Sequence, residues 1–262
     1  MKKKGFLLGG AALMLAGVLC FAVVLGKHGW DPQRLSNLEY RLRDGGRWKD
    51  VVNVIVEDKN MGVDIERGGT DVAVAYWESE ESWYDIEQHD GTLRITKRTQ
   101  PSVNLFTFDF VERDLFIRLP EDFDGAIVVE TKNGRIVAED IVCANARLST
   151  ENASITILGA KLKELWCDTT NGDFRLKNVD ASKKLTAYGE NGDISIENIA
   201  APDILIYNSN GDVEGTVAGS AGDYDVSFST KNGYGAYQKK AGGSKQIRIS
   251  NENGDIDVEF TE

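Results

Sequence analysis

The dipeptide Asn-Gly, or a close variant, recurs through the second half of this chain at nearly constant spacing. It falls at Asn133, Asn152 (followed by Ala153), Asn171, Asn191, Asn210, Asn232 and Asn253, at intervals of 19, 19, 20, 19, 22 and 21 residues. A fixed period of this length marks a repeat architecture, whose units bury their apolar faces only against one another. Alignment on the asparagine brings the flanks into register. Six residues before it stand Ile127, Ala146, Leu165, Leu185, Ile204, Val226 and Ile247. Four before it stand Val129, Leu148, Cys167, Ala187, Ile206, Phe228 and Ile249. Two before it the residues turn small or polar, as at Thr131, Thr150, Thr169, Gly189, Asn208, Thr230 and Asn251. Three after it come Ile136, Ile155, Phe174, Ile194, Val213 and Ile256, with Ala236 slipped by one. Charged and polar residues fill the positions between. This is period-2 alternation on both sides of a turn, so each repeat reads as two short strands with one apolar face.

Two all-β architectures satisfy that pattern. In a hairpin meander each Asn-Gly is a type I′ turn between antiparallel strands. In a single-stranded parallel β-helix each repeat of 19–22 residues is one turn of a coil, with equivalent residues about 4.8 Å apart. The β-helix is preferred, because a meander needs a second turn in every repeat and the second linker carries no consistent turn signal. That linker instead keeps an apolar column, Ile141, Val179 and Ile199, which suits an inward corner. Stacked asparagines would form an amide ladder through Asn133, Asn152, Asn171, Asn191, Asn210, Asn232 and Asn253. Weaker copies occur earlier, at Val54, Val56, Asn60, Val63 and Ile65, and again at Tyr84, Ile86, Asp90-Gly91, Leu93 and Ile95.

The N-terminus constrains location. Residues 5–26 form an uncharged apolar run, long enough to span a hydrocarbon core of about 30 Å. Lys2, Lys3 and Lys4 precede it, and basic flanks stay cytoplasmic, so the remainder is expected outside. A cleaved secretory signal and a lipid-modified Cys20 are the competing readings of this run. No small-x-small site closes it, and Leu19 precedes the cysteine where a small residue is usual. Asp31 and Pro32 look like a helix start, Leu35, Leu38 and Leu42 fall at helical spacing, and Gly45 and Gly46 would stop the helix. The expected organisation is a cytoplasmic tail (1–4), a membrane helix (5–26), a helical linker (27–50) and a strand-repeat domain (51–262) whose regular part covers 131–262.

The formal charge is -12, and three lysines of the total sit in the N-terminal tail. Nucleic-acid binding needs a basic stripe, which is not visible. No zinc-ligand spacing, nucleophile elbow, phosphate loop or dinucleotide fingerprint occurs, so no cofactor is expected. Cys143 and Cys167 fall in apolar columns and read as core thiols. Aspartate follows Asn-Gly at Asp173, Asp193, Asp212 and Asp255, with Arg135 in the corresponding place of the first strong repeat. Turn preference accounts for the aspartates, which are expected to point to solvent. A calcium site needs more oxygen ligands than one carboxylate column supplies. A carbohydrate-active enzyme on the β-helix, using these carboxylates with Arg175 and Lys177, is the alternative to a non-catalytic reading.

Two aromatic clusters are the candidate partner or ligand surface. Trp77, Trp83 and Tyr84 stand among glutamates, and Phe106, Phe108 and Phe110 alternate. The phenylalanines would equally cap an open end of the coil. The segment DLFIRLPEDFDGAIVVETKNGRIVAEDI, with later repeats such as LTAYGENGDISIENI, resembles the bacterial "putative adhesin" β-strand-repeat family over roughly residues 50–262. That resemblance implies a solenoid-like, extracytoplasmic, membrane-anchored domain. It also implies surface or envelope-stress functions exercised on an envelope protein, a membrane protein or a surface polymer, and it supplies no catalytic residues.

Overall fold

The computed structural model describes residues 22, 23, 25–27, 29, 30, 39–100, 113–239 and 243–261, and these are overwhelmingly strand. Each Asn-Gly repeat except that of Asn232 is one rung: a strand before the asparagine lies in a first wall, and a strand after it lies in a second. The first wall runs β5 (Ser82–His89), β6 (Thr92–Thr99), β2 (Asn53–Glu57), β8 (Ala126–Glu130) and β10 (Asn145–Thr150). It continues with the C-terminal halves of β11 (Ile155–Asn171) and β12 (Phe174–Asn191), then β14 (Asp203–Asn210), β18 (Lys245–Asn253), β16 (Tyr224–Asn232) and β17 (Tyr237–Lys239). The second wall runs β1 (Arg41–Trp48), β4 (Val72–Glu78), β7 (Asp114–Leu119), β3 (Gly62–Arg67) and β9 (Ile136–Val142). The N-terminal halves of β11 and β12 follow, then β13 (Ile194–Ile199), β15 (Val213–Ala218) and β19 (Ile256–Thr261).

Pairing between rungs is parallel and in register, with Asn171 opposite Asn191 and Asn191 opposite Asn210. The expected period therefore corresponds to one turn of a solenoid-like coil. The all-parallel, single-stranded form does not hold at the ends. There β5 pairs β6, β4 pairs β1 and β7, and β17 pairs β16, all antiparallel, so the sheet is mixed. Asp90 and Gly91 both have positive φ, at 48° and 72°. They join β5 to β6 as a type I′ hairpin and not as a rung. After Asn232 and Gly233 the chain likewise folds back antiparallel as β17 on β16, so hairpin pairing is realised at these two sites.

Sequence order and rung order also differ at both ends. The rung of β2 and β3 lies between that of β6 and β7 and that of β8 and β9. Likewise β18 sits between β14 and β16, so the last repeat is inserted before the one that precedes it in sequence.

The walls enclose one core made of the predicted columns. Leu165, Leu185 and Ile204 are at most 1% exposed, as are Ile155, Phe174 and Ile194 opposite them. The linker column Ile141, Val179 and Ile199 is equally buried. Cys143 and Cys167 are buried free thiols. Burial alone pushes Cys143 up to about 12, and burial followed by the neighbouring Asp168 raises Cys167 further still.

The expected helix over residues 31–44 is not what the described part shows. Residues 31–38 lie outside the description, but Arg41–Trp48 is a strand whose Leu42 faces Trp77 on β4. Gly45 and Gly46 are no helix stop. They form a bulge between Asp44 and Arg47, where a Cβ on Gly45 would come within 3.0 Å of the Val74 carbonyl. Among the described residues no helix is long and apolar enough to cross a membrane. The expected span, residues 5–26, lies outside the description except for residues 22, 23, 25 and 26.

Candidate functional site

The asparagine column is a continuous amide ladder. Each Nδ2 donates to the Oδ1 of the rung below: Asn133 to Asn60, Asn152 to Asn133, Asn171 to Asn152, Asn191 to Asn171 and Asn210 to Asn191, at 2.7–3.0 Å. The exchanged final rungs keep the direction, Asn253 donating to Asn210 and Asn232 to Asn253, both at 2.9 Å. The glycine that follows is required by stacking at positions 192 and 211. A Cβ on Gly192 would fall 2.3 Å from the Gly172 carbonyl, and one on Gly211 2.3 Å from that of Gly192.

Two further columns reinforce the turn. The buried polar residues two before the asparagine donate to the carbonyl beneath them, as Thr169 does to Ala153 at 3.0 Å and Asn208 to Gly192 at 2.9 Å. The aspartates are exposed, as expected, and Asp173, Asp193 and Asp212 each also accept a backbone amide. Asp193 N donates to Asp173 Oδ1, Asp212 N to Asp193 Oδ1 and Asp255 N to Asp212 Oδ1, at 2.8–3.0 Å. Their carboxylates are acceptors for the backbone of the next rung. Nearby Lys177 is ion-paired to Glu197 at 2.8 Å. Among the described residues no group of three His, Cys, Asp or Glu is placed to hold a metal ion.

The sequence-predicted aromatic cluster is divided by the fold. Tyr84 points inward at 5% exposure and donates its hydroxyl to Asp58 Oδ2. Asp58 Oδ1 in turn accepts the backbone amides of Asn60 and Met61 at 2.8 and 2.9 Å, so this tyrosine braces the first turn. Burial is the main cause that raises its phenol, ahead of the charge of Asp58. Trp83, the next residue back on the same strand, faces the opposite side, and Trp77 packs partly buried against the core from β4. The three do not make one surface. Phe106, Phe108 and Phe110 lie outside the described residues.

The aromatic surface that the fold does assemble lies on the outer face of the first wall. Register places Trp166, Tyr188 and Tyr207 on three successive rungs. Their ring centroids are 6.3 Å apart from Trp166 to Tyr188 and 6.2 Å from Tyr188 to Tyr207. Arg147, one rung below, lays its guanidinium 3.7 Å over the Trp166 ring. Tyr188 is 37% exposed. Asp168 lies directly beside Tyr188 and accepts from Ser149 Oγ at 3.1 Å through Oδ2, while its covered Oδ1 has no partner. Burial raises the Asp168 carboxyl above the usual range, against the opposing pull of the Ser149 hydrogen bond and Arg147. At the far end Tyr207 donates to Glu252 Oε1 at 3.1 Å. A shallow groove of about 440 Å³ crosses the rungs from Val128 to Leu205 and is lined by Trp166 and Tyr188, with Tyr207 beyond its lining.

A second groove, of about 540 Å³, lies on the outer face of the second wall around Phe116. Two of its arginines are ion-paired: Arg135 bridges Asp64 at 2.9 Å and Asp114 at 2.7 Å, and Arg118 pairs with Glu66. This explains the arginine in the aspartate column, since its neighbours toward that end of the stack are carboxylates.

Comparison with curated proteins gives no match. Among solved structures, the chain is similar to a "putative cell adhesion protein" from Clostridium sporogenes at 12% identity, covering 86% of this chain and all of that one, TM-score 0.39. A "putative adhesin" from Bacteroides fragilis aligns at 11% identity over 84% and 97% of the two chains, TM-score 0.45. A "putative lipid binding protein" from Parabacteroides distasonis aligns at 11% over 87% and 98%, TM-score 0.32. The family model Toastrack DUF4097 matches residues 52–234, from just before β2 to just after β16. The chain belongs to the Toastrack DUF4097 family.

Proposed function

We propose that this protein is a non-catalytic binding module, tethered by residues 5–26 and displayed outside the cytoplasmic membrane, that presents a rigid wall to an envelope protein or a surface polymer. The observation that carries the reading is the outward strip of Trp166, Tyr188 and Tyr207. Three large aromatic rings are held in line by a scaffold whose every rung is hydrogen-bonded to the next. Preorganised aromatic anchors lose little side-chain freedom on binding, which is why such residues dominate interfaces. The carboxylates best placed for chemistry by sequence, Asp173, Asp193 and Asp212, serve instead as acceptors for backbone amides. Display outside follows from Lys2, Lys3 and Lys4 preceding an uncharged span.

Protease added to intact, wall-stripped cells is expected to digest the strand domain, and full protection would contradict the orientation. Components that co-purify with the chain from native membranes should be lost on Trp166→Ala/Tyr188→Ala substitution. Their retention would contradict the role of the strip.

A further inference from the structure

We infer that the strip of Trp166, Tyr188 and Tyr207 binds a neutral polysaccharide laid across the rungs. The inference rests on the proposal that this strip is the working surface, and it names the ligand class. A sugar ring is amphipathic, with an apolar C–H face and a rim of hydroxyls. Its complement is a ring face with hydrogen-bonding groups at the edge. The strip has that composition. The rings follow one another at 6.2–6.3 Å, and Ser149, Asp168, Ser209 and Glu252 line their margins.

The shape excludes other ligands. The groove is open and runs along the stack, so it follows a chain of repeated units and does not enclose a small molecule. The strip is narrow, flanked on one side by the ion pairs Lys183–Glu164 at 3.4 Å and Lys184–Asp203 at 3.2 Å. A stable protein interface needs a broad apolar centre within roughly 1,000 Å² or more of buried surface. The charges argue for a neutral polymer. Arg147 is engaged by the Trp166 ring, Lys184 by Asp203 and Lys231 by Glu252. The chain as a whole is strongly acidic, at formal charge -12, which repels polyanions. Paired ions still accept and donate to sugar hydroxyls. Asp168 Oδ1 is an acceptor without a hydrogen-bond partner in the described fold, on the residue in register with Tyr188.

The test is affinity electrophoresis of the full chain, in a detergent without sugar headgroups, through native gels holding a β-1,3-glucan, a β-1,4-glucan, an α-mannan or dextran sulfate. Retardation by at least one neutral polymer is expected. Trp166→Ala and Tyr188→Ala should each weaken it about tenfold, the loss of one anchoring aromatic. Trp166→Phe, which keeps a ring, should retain most of the binding, and Arg175→Ala on the opposite wall should retain all of it. The inference is overturned if no neutral polymer retards the chain, if only dextran sulfate does, or if the ring variants migrate as wild type. Loss of a membrane component from the Trp166→Ala/Tyr188→Ala variant, with no polymer bound, would reject the glycan alone and leave the strip as the binding surface. A polymer that is bound and shortened would uphold the inference and reject the non-catalytic reading.

Discussion

Leu185, Asn191 and Asp193 sit within nine residues and stabilise one rung in three different ways. Leu185 is fully buried between Leu165 and Ile204, and truncation to alanine should cost about 2–5 kcal/mol. Asn191 donates to Asn171 and accepts from Asn210, but it is exposed, so water replaces part of what Asn191→Ala removes. About 1 kcal/mol is expected. Asp193 receives the amide of Asp212, and Asp193→Ala should cost a similar ~1 kcal/mol. Chemical denaturation of the three variants checks the order. An Asp193→Ala variant as stable as wild type would mean that its carboxylate is idle. Asp168 makes a prediction of opposite sign. Its folded-state carboxyl is raised by burial, so it ionises more readily in the unfolded chain, where fewer protons are held. Its contribution is therefore full below the ordinary aspartate range and is lost as pH rises through the folded value. Asp168→Asn, which keeps an acceptor for Ser149, should raise the urea midpoint at pH 7, and the gap should close near pH 3. A gap that persists or widens on acidification would contradict burial as the cause. A destabilising carboxyl kept beside the aromatic strip is the kind of local inconsistency expected at a functional site.

At the scale of the element, the rung was legible because two alternating strands flank a residue pair that stacking itself demands. The columns Leu165, Leu185 and Ile204 could be written down before any fold was known. Rung order could not, because every rung presents the same columns, and Asn232 and Asn253 satisfy the ladder in either sequence. Nor could the corner geometry be read by looking for turn dipeptides. Asp140, Gly159, Asn178 and Asn198 all have positive φ seven residues after the asparagine, and Asn198 donates to Asn178 at 2.8 Å in a second ladder. The signal was there, as Asp, Gly, Asn and Asn in one column, residue types that tolerate this conformation. Leu42 misled because three leucines at helical spacing ran into a strand that tertiary pairing with β4 decides. The exchanged rungs give a prediction of their own. A chain ending at residue 243 lacks β18, the parallel neighbour of β16. Hydrogen exchange should then show loss of protection across Tyr224–Asn232, although those residues are present. Retained protection there would mean that β16 can dock directly on β14, as a coil in sequence order would have it.

Over the whole molecule, the fold turns a one-dimensional repeat into two long walls of fixed spacing, and function depends on what the outward columns carry. Trp166, Tyr188 and Tyr207 were overlooked in sequence because they are 22 and 19 residues apart, one per repeat, among residues that read as solvated surface. Writing the outward columns in register aligns the two tyrosines, each three before its asparagine, and puts Trp166 in the neighbouring outward column, five before its own. The cluster Trp77, Trp83 and Tyr84 attracted notice by proximity in sequence, yet alternation along a strand sends neighbours to opposite faces. Under the proposed function, the first wall meets its partner at Tyr188. A photo-crosslinking amino acid placed at position 188 in living cells tests it most directly, with position 195 on the opposite wall as the reference. The account predicts adducts with envelope material from position 188 and few from position 195. Equal adducts from the two positions, or none from 188, would contradict it.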